Sequence, residues 1–165
     1  MTGAVISIVI EVYHGSNMIV KKPRIMPYIR PLDFGAGFYV TTLYTQAKIW
    51  AERKTKRYSG TSTVNKYDLD LSGLDVKEFK GTDESWINFV VLNRNTKEII
   101  KHDYDIIIGE VANDQIFDSI DLYLRNIYTI SRLIEELKIK TENNQLCLAT
   151  LKALDNITFK SGNVV

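Results

Sequence analysis

The distribution of apolar positions along the chain predicts strands that are mostly separated by helices. Runs of β-branched and aromatic residues predict strands at residues 5–14, 38–41, 62–71, 104–109, 145–150 and 156–160. Apolar residues spaced three and four apart predict helices at residues 44–57 and 130–137. They also predict a helix that starts at residues 83–85 and carries residues 86–93, and one that is capped at residues 112–114 and has apolar residues at 116, 117, 120 and 124. Residues 151–154 read as a turn. The pattern therefore predicts an α+β protein with five or six strands and three or four helices packed on them.

A glycine-containing turn, a short strand and a helix follow one another in the first third of the chain. Gly35 and Gly37 permit a tight turn and a close approach of the backbone to a ligand. The strand carries Tyr39, the helix carries Trp50, and Thr42 is placed to cap that helix. This arrangement suits the binding of a flat ring between two aromatic side chains. An ordinary strand–helix junction with core aromatics is the alternative, because a Gly-x-Gly pair alone is a weak signal.

Length, charge and cysteine content narrow the classes of protein to consider. A chain of 165 residues fits one domain, here predicted to span residues 1–165. The net charge of +1 gives no argument for a nucleic-acid or membrane partner. The single Cys147 excludes an internal disulfide, and with only two histidines we expect no metal site. The apolar run at residues 4–12 is too short to span a bilayer and lacks a charged leader, so we expect a cytoplasmic protein.

The segment at residues 21–31 contains three prolines and is therefore predicted to be an irregular loop. Long irregular loops inside compact domains are often binding loops. Arg24 and Arg30 lie in this loop, and an arginine matches the geometry of a phosphate group. The segment thus offers two candidates for binding a pyrophosphate, with solvated loop arginines as the alternative.

Three short motifs stand in a particular order: Tyr13-His14-Gly15-Ser16 at the end of a strand, Gly35-x-Gly37-x-Tyr39 before a helix, and Asn143-Asn144-Gln145 at the start of a late strand. In that order they resemble the ADP-ribosyltransferase superfamily, in the branch of diphtheria toxin and poly(ADP-ribose) polymerase with its His–Tyr–Glu signature. The likeness is closest to an uncharacterised group of small bacterial proteins in this superfamily. It extends to Arg-Pro-Leu-Asp-Phe-Gly at residues 30–35 and Gln-Ala-x-x-Trp-Ala at residues 46–51.

The resemblance implies a split β-sheet with flanking helices that clamps NAD as substrate. It implies that His14 binds the adenosine-side ribose, that backbone groups of Gly15 hold the nicotinamide amide, and that Ser16 assists nearby. Tyr39 would stack on the nicotinamide ring, and Trp50 would stack on it from the other side. Arg30, from the proline-containing loop rather than from the resemblance, is the candidate for the pyrophosphate.

Gln145 stands where the family pattern has its catalytic Glu. An amide can hydrogen-bond the ribose but carries no charge to stabilise an oxocarbenium-like centre. The replacement of Glu by Gln argues against the synthesis of ADP-ribose polymers. It leaves the transfer of a single ADP-ribose unit or the hydrolysis of NAD. Glu110 or Asp33 could supply a carboxylate instead, and the sequence places neither of them.

Three functions remain open from the sequence. The first is a mono-ADP-ribosyltransferase that transfers ADP-ribose to an unknown macromolecular acceptor, protein or nucleic acid, as in the toxin of a bacterial toxin–antitoxin pair with a cognate antitoxin. The second is a catalytically silent module that binds NAD or ADP-ribose, which Gln145 favours. The third is an interaction protein whose cleft is vestigial.

Overall fold

The computed structural model describes residues 7–26, 32–95, 102–112, 114–138 and 142–165. The described residues form an α+β fold, which confirms the predicted class. Its strands are β1 (Val9–Ser16), β2 (Phe38–Val40), β3 (Thr63–Asp70), β4 (Val76–Glu78), β5 (Ile106–Gly109), β6 (Gln145–Leu148) and β7 (Ile157–Val164). Its helices are α1 (Tyr44–Tyr58), α2 (Glu84–Asn95), α3 (Asp114–Leu124), α4 (Ile130–Leu137) and α5 (Leu151–Asp155).

The strands form two sheets. One is antiparallel with the order β1-β3-β7, and the other has the order β2-β6-β5-β4, in which only β4 and β5 run parallel. A single pair of main-chain hydrogen bonds joins the sheets in the described chain: Tyr13 N donates to Thr41 O at 2.8 Å and Thr41 N to Tyr13 O at 2.9 Å. The end of β1 and the end of β2 therefore meet at one point, called here the sheet junction.

The four-stranded sheet is covered on both faces. One face packs against the three-stranded sheet through apolar residues of both, namely Val12, Phe38, Val40, Tyr67, Leu69, Ile106, Leu146 and Leu148. The other face packs under α2, α3 and α4 through Phe34, Phe79, Trp86, Ile87, Val90, Ile107, Ile116, Ile120, Leu133, Leu137 and Cys147. The apolar run of β5 is thus buried on both faces, as its sequence predicts.

Helix α1 lies on the face of the three-stranded sheet that is turned away from the other sheet. Gly15 sits directly against it, because a Cβ at this position would overlap Ala47 O and lie 2.7 Å from Ala51 N. The ring of Tyr13 meets that of Tyr44 edge-on with centroids 5.4 Å apart. The helix therefore runs along the last residues of β1. It approaches their backbone so closely that only glycine, which has no side chain, fits at position 15.

The structure corrects three local predictions. Leu43 is the N-cap of α1 and makes no side-chain cap, whereas the Thr42 hydroxyl accepts a hydrogen bond from Asn144 Nδ2 at 2.6 Å. The predicted turn at residues 151–154 is the short helix α5, capped by the Thr150 hydroxyl. The three-residue strand β4 was not predicted, because three residues are too few to show an alternation.

No helix in the described part of the chain is long and apolar enough to cross a membrane.

We predict that Gly15→Ala destabilises the fold by about 3 kcal/mol, because the new methyl group meets helix backbone that cannot move aside. Gly81→Ala is the matched control, since a Cβ there meets nothing within 4 Å, and we expect it to stay within about 0.5 kcal/mol of the wild type. Urea unfolding of both variants measures the difference. Equal stability of the two variants would show that α1 does not contact β1 at Gly15.

Candidate active site at the sheet junction

His14 lies beside the sheet junction, at the end of β1. Its Nδ1 is 2.7 Å from the carbonyl oxygen of Tyr39 on β2. A carbonyl oxygen only accepts hydrogen bonds, so Nδ1 carries the proton and the neutral ring keeps Nε2 as an acceptor. The main chain of β2 thereby fixes both the orientation and the tautomer of the imidazole.

The imidazole of His14 is neutral at physiological pH. Burial against neighbouring groups lowers its pKa from 6.5 to about 4, and the positive charge of Lys54 acts in the same direction. The hydrogen bond to the Tyr39 carbonyl raises the pKa by less than burial lowers it. The ring packs on Phe38 with centroids 4.4 Å apart, while the residue as a whole stays partly exposed. His14 is therefore suited to accept a hydrogen bond from a hydroxyl, such as that of a ribose.

The other residues of the His-Gly-Ser motif and Trp50 form one side of this site. Gly15 packs on the turn of α1 that carries the half-buried Trp50, whose Cβ lies 2.9 Å from where a Cβ of Gly15 would be. Ser16 is buried at the end of β1, opposite Thr63 of β3. Gly15 therefore faces α1 and Trp50, whereas the His14 ring, one position earlier in β1, faces Phe38 on the other face of the strand.

The side chain of Tyr39 points to the opposite face of the four-stranded sheet, where it packs with the residues under the helices. Its hydroxyl donates to Gly35 O at 2.6 Å and accepts from Phe34 N at 3.1 Å. Burial raises the pKa of Tyr39 well above 10, so the phenol stays protonated. Tyr39 therefore closes the glycine turn, and it meets His14 through its main-chain carbonyl rather than through its ring.

The two glycines of the turn are needed for different reasons: Gly35 for its backbone conformation and Gly37 for the close approach of β6. Gly35 has a φ of 81°, which favours glycine. At Gly37 a Cβ would overlap the Cys147 sulfur and lie 2.8 Å from Leu148 O. Cys147 is fully buried there, and burial raises the pKa of its thiol to about 12.

A buried cluster of Asp33, Arg94 and Gln145, called here the Asp33 cluster, lies on the Tyr39 side of the sheet. Asp33 and Gln145 are each only 4% exposed. One carboxylate oxygen of Asp33 accepts from the Arg94 guanidinium, and the other accepts from Ala112 N at 2.9 Å and from Gln145 Nε2 at 2.8 Å. The negative charge of Asp33 is thus paired and hydrogen-bonded on both oxygens.

The Asp33 cluster fixes the amide of Gln145. Its Nε2 donates both to Asp33 and to the carbonyl of Glu110 at 3.2 Å, and neither partner can donate in return. Nε2 therefore points toward Asp33 and Glu110, and Oε1 is the atom of the amide that remains to accept a hydrogen bond. Gln145 can act as a neutral hydrogen-bond acceptor, which is half of what a glutamate at this position would provide.

Sequence reasoning missed Arg94 and the linking role of Asn144. The Arg94 guanidinium stacks on Phe117 at 3.7 Å and binds Asp33, 61 residues away in sequence. The feature of the sequence that pointed to Arg94 was Asp33. This acidic residue lies in an apolar stretch, and a buried carboxylate needs a partner. The Asn144 side chain binds Thr41 and Thr42, which ties the start of β6 to the link between β2 and α1.

A protein-family model described as a protein of unknown function (DUF3990) matches residues 10–159. The chain belongs to the DUF3990 family. The match begins in β1 and ends in β7, so the DUF3990 region takes in both sheets and both sides of the candidate site. No curated protein and no solved structure matches the chain.

The remaining candidates of this DUF3990 domain are placed as follows. Arg30 lies outside the described residues, and Arg24 is exposed. The main-chain carbonyl of Glu110 accepts from Gln145 and from the Trp86 indole, so this residue helps to shape the Asp33 cluster. Within the described ranges no three His, Cys, Asp or Glu residues form a group that could hold a metal ion.

We predict that the free energy of unfolding rises with pH between about pH 4 and pH 6.5. In this window the unfolded chain binds a proton at His14 and the folded protein does not, so raising the pH favours folding, by at most about 3 kcal/mol. Urea unfolding across the window measures this dependence. His14→Gln should remove most of it, and His102→Gln, which removes the other histidine, should retain most of it. A flat profile for the wild type would contradict a neutral, buried imidazole.

We predict that Gln145→Glu destabilises the protein by about 3 kcal/mol at pH 7.5, because two buried carboxylates would then face each other. The loss relative to wild type should shrink at pH 5, where the pair can share a proton. The control Gln145→Met removes the hydrogen bonds without adding charge, so its loss of about 2 kcal/mol should be the same at both pH values. If Gln145→Glu is as stable as the wild type at both, the amide does not donate to Asp33.

Proposed function

We propose that this protein is an NAD-dependent mono-ADP-ribosyltransferase with an ADP-ribosyltransferase-like split sheet. The observation that carries the proposal is the neutral His14 at the sheet junction, held through Nδ1 by the Tyr39 carbonyl with Nε2 as an acceptor. A hydroxyl of a ribose can donate a hydrogen bond to this acceptor. The resemblance of the His-Gly-Ser and Gly-x-Gly-x-Tyr motifs to those of NAD-cleaving enzymes supports the same function.

In the proposed reaction the bond between the ribose C1′ and the nicotinamide nitrogen breaks, and its electron pair leaves with nicotinamide. A nucleophile of the acceptor then bonds to C1′ and loses its proton to solvent. His14 would orient the dinucleotide through its adenosine-side ribose before the bond breaks, which lowers the entropic part of the barrier. Trp50 would contact the leaving ring, and Tyr39 would act through the main-chain carbonyl that holds His14.

Gln145 lies on the other face of the four-stranded sheet from the His14 ring, and a ribose hydroxyl bound on that face would donate to its Oε1. The charge of Asp33 lies next to it, but Arg94 pairs with that charge. The site would therefore stabilise the positive charge on the ribose less than a free glutamate does, which fits single transfer or hydrolysis better than polymer synthesis.

A catalytically silent module that binds NAD or ADP-ribose is the second candidate. The Asp33 cluster favours it, because the Asp33 carboxylate beside Gln145 is neutralised by Arg94. We place either function in the cytoplasm, where NAD is available and a lone thiol stays reduced. A toxin with a cognate antitoxin is the setting that the family resemblance suggests for the transferase, with a protein or nucleic acid as acceptor.

The test of the enzyme is the release of nicotinamide from NAD by purified protein, with and without bacterial lysate as a source of acceptor. We predict that the wild type releases nicotinamide and that His14→Ala lowers kcat/KM at least about tenfold, because the ribose loses its acceptor. His102→Ala is the matched control and should retain the wild-type rate.

Two other outcomes decide between the candidates. NAD binding by calorimetry without nicotinamide release, even with lysate, would identify the silent module. Absence of both release and binding would overturn both functions.

A further inference from the structure

One side of α1 carries an aromatic residue followed by three cations. Counting from Gln46, the residues four, seven, eight and eleven positions on lie on the same side of a helix. They are Trp50, Arg53, Lys54 and Arg57, and all three cations are exposed. These cations are called here the α1 basic row.

The α1 basic row lies on the side of the helix whose first residue, Gln46, contacts the start of β6. Gln46, at the beginning of this side, binds the main chain of Asn144 twice, with Nε2 donating at 2.6 Å and Oε1 accepting at 3.1 Å. The side of α1 defined by Gln46 is therefore turned toward the four-stranded sheet. Trp50 and the basic row continue along it.

The basic row also lies level with the end of β1. Tyr44 packs on Tyr13, the turn at Ala47 packs on Gly15, and Asn17 Nδ2 donates to Ser59 O at 2.8 Å just beyond the helix. These contacts show that α1 and β1 run side by side in the same direction. Lys54 lies one turn after Trp50 and falls between the levels of Gly15 and Asn17. The effect of the Lys54 charge on the pKa of His14 agrees with this placement.

We propose that the α1 basic row binds the pyrophosphate of the dinucleotide whose ribose is held by His14. This inference rests on the proposed function and assigns the phosphate contact to α1 rather than to the proline-containing loop. In NAD the pyrophosphate lies between the two riboses. Lys54 is one helical turn beyond Trp50, whose turn packs on Gly15 next to His14, so its ammonium is placed to reach a pyrophosphate bound there. A lysine ammonium acts as a point charge on phosphate, and arginine can bind two phosphate oxygens at once.

The length of the row favours a single pyrophosphate over an extended nucleic-acid backbone. From Trp50 to Arg57 the helix rises only about 10 Å. The other exposed cations of α1, Lys48 and Lys56, lie on a different side together with Glu52 and Ile49. They do not extend the row into a continuous basic surface, and they serve as controls.

The test is isothermal titration of wild type and variants with three probes: NAD, ADP-ribose, and nicotinamide riboside, which lacks the pyrophosphate. We expect Lys54→Gln to weaken the binding of NAD and ADP-ribose about tenfold and to leave the affinity for the riboside unchanged. Lys56→Gln, an equally exposed lysine on the other side of the same helix, should change none of the three affinities by more than about twofold. The affinity for ADP-ribose should also fall as salt rises, and should fall less steeply in Lys54→Gln.

The outcomes separate this inference from the proposed function. If wild type binds NAD and both Lys54→Gln and the double variant Lys54→Gln/Arg57→Gln bind it equally well, the basic row is not the phosphate site and the proposed function stands. If the two lysine variants lose the same affinity, the effect is one of net charge and the inference fails. If the row variants lose affinity for a single-stranded oligonucleotide but not for ADP-ribose, the row binds an acceptor nucleic acid and the inference is wrong. If wild type binds neither NAD nor ADP-ribose, both proposals fall.

Discussion

The buried carboxylate of Asp33 is the constraint on which much of this structure depends. Its four hydrogen bonds come from the end of α2, the segment after β5 and the first residue of β6. A charge at this depth is tolerated only when it is paired and hydrogen-bonded, and removing one partner of such a pair commonly costs about 3–5 kcal/mol. Asp33 thus fixes where the turn before β2 sits relative to three other parts of the chain.

The candidate site has two sides because β2 lies between two packed faces. Its residues alternate, so Phe38 joins the core between the sheets and Tyr39 joins the residues under the helices. His14 contacts both residues, the first through its ring and the second through a main-chain carbonyl. A change that moves β2 will therefore alter the histidine and the Asp33 cluster together.

Patterns within a short stretch of sequence predicted most of the fold. The strands and helices longer than five residues follow from apolar spacing, and Thr129, directly before the apolar residues of α4, caps that helix. Thr42 failed as a cap because Asn144, 102 residues away, takes its hydroxyl. The pairing of Asp33 with Arg94 and the contact of His14 with the Tyr39 carbonyl are likewise long-range, and one of them uses a backbone atom that carries no sequence signal. The site residues could be named from motifs, but their partners could not.

The position of Cys147 gives the molecule a built-in reporter. The thiol lies in the middle of β6, against Gly37, and is neither exposed nor ionised in the folded state. Alkylating reagents attack thiolates, so modification at this residue requires that the packing of β6 against β2 and the helices first open. Since the chain has no other cysteine, the rate of alkylation reads out this local opening alone, next to the strand that carries Tyr39.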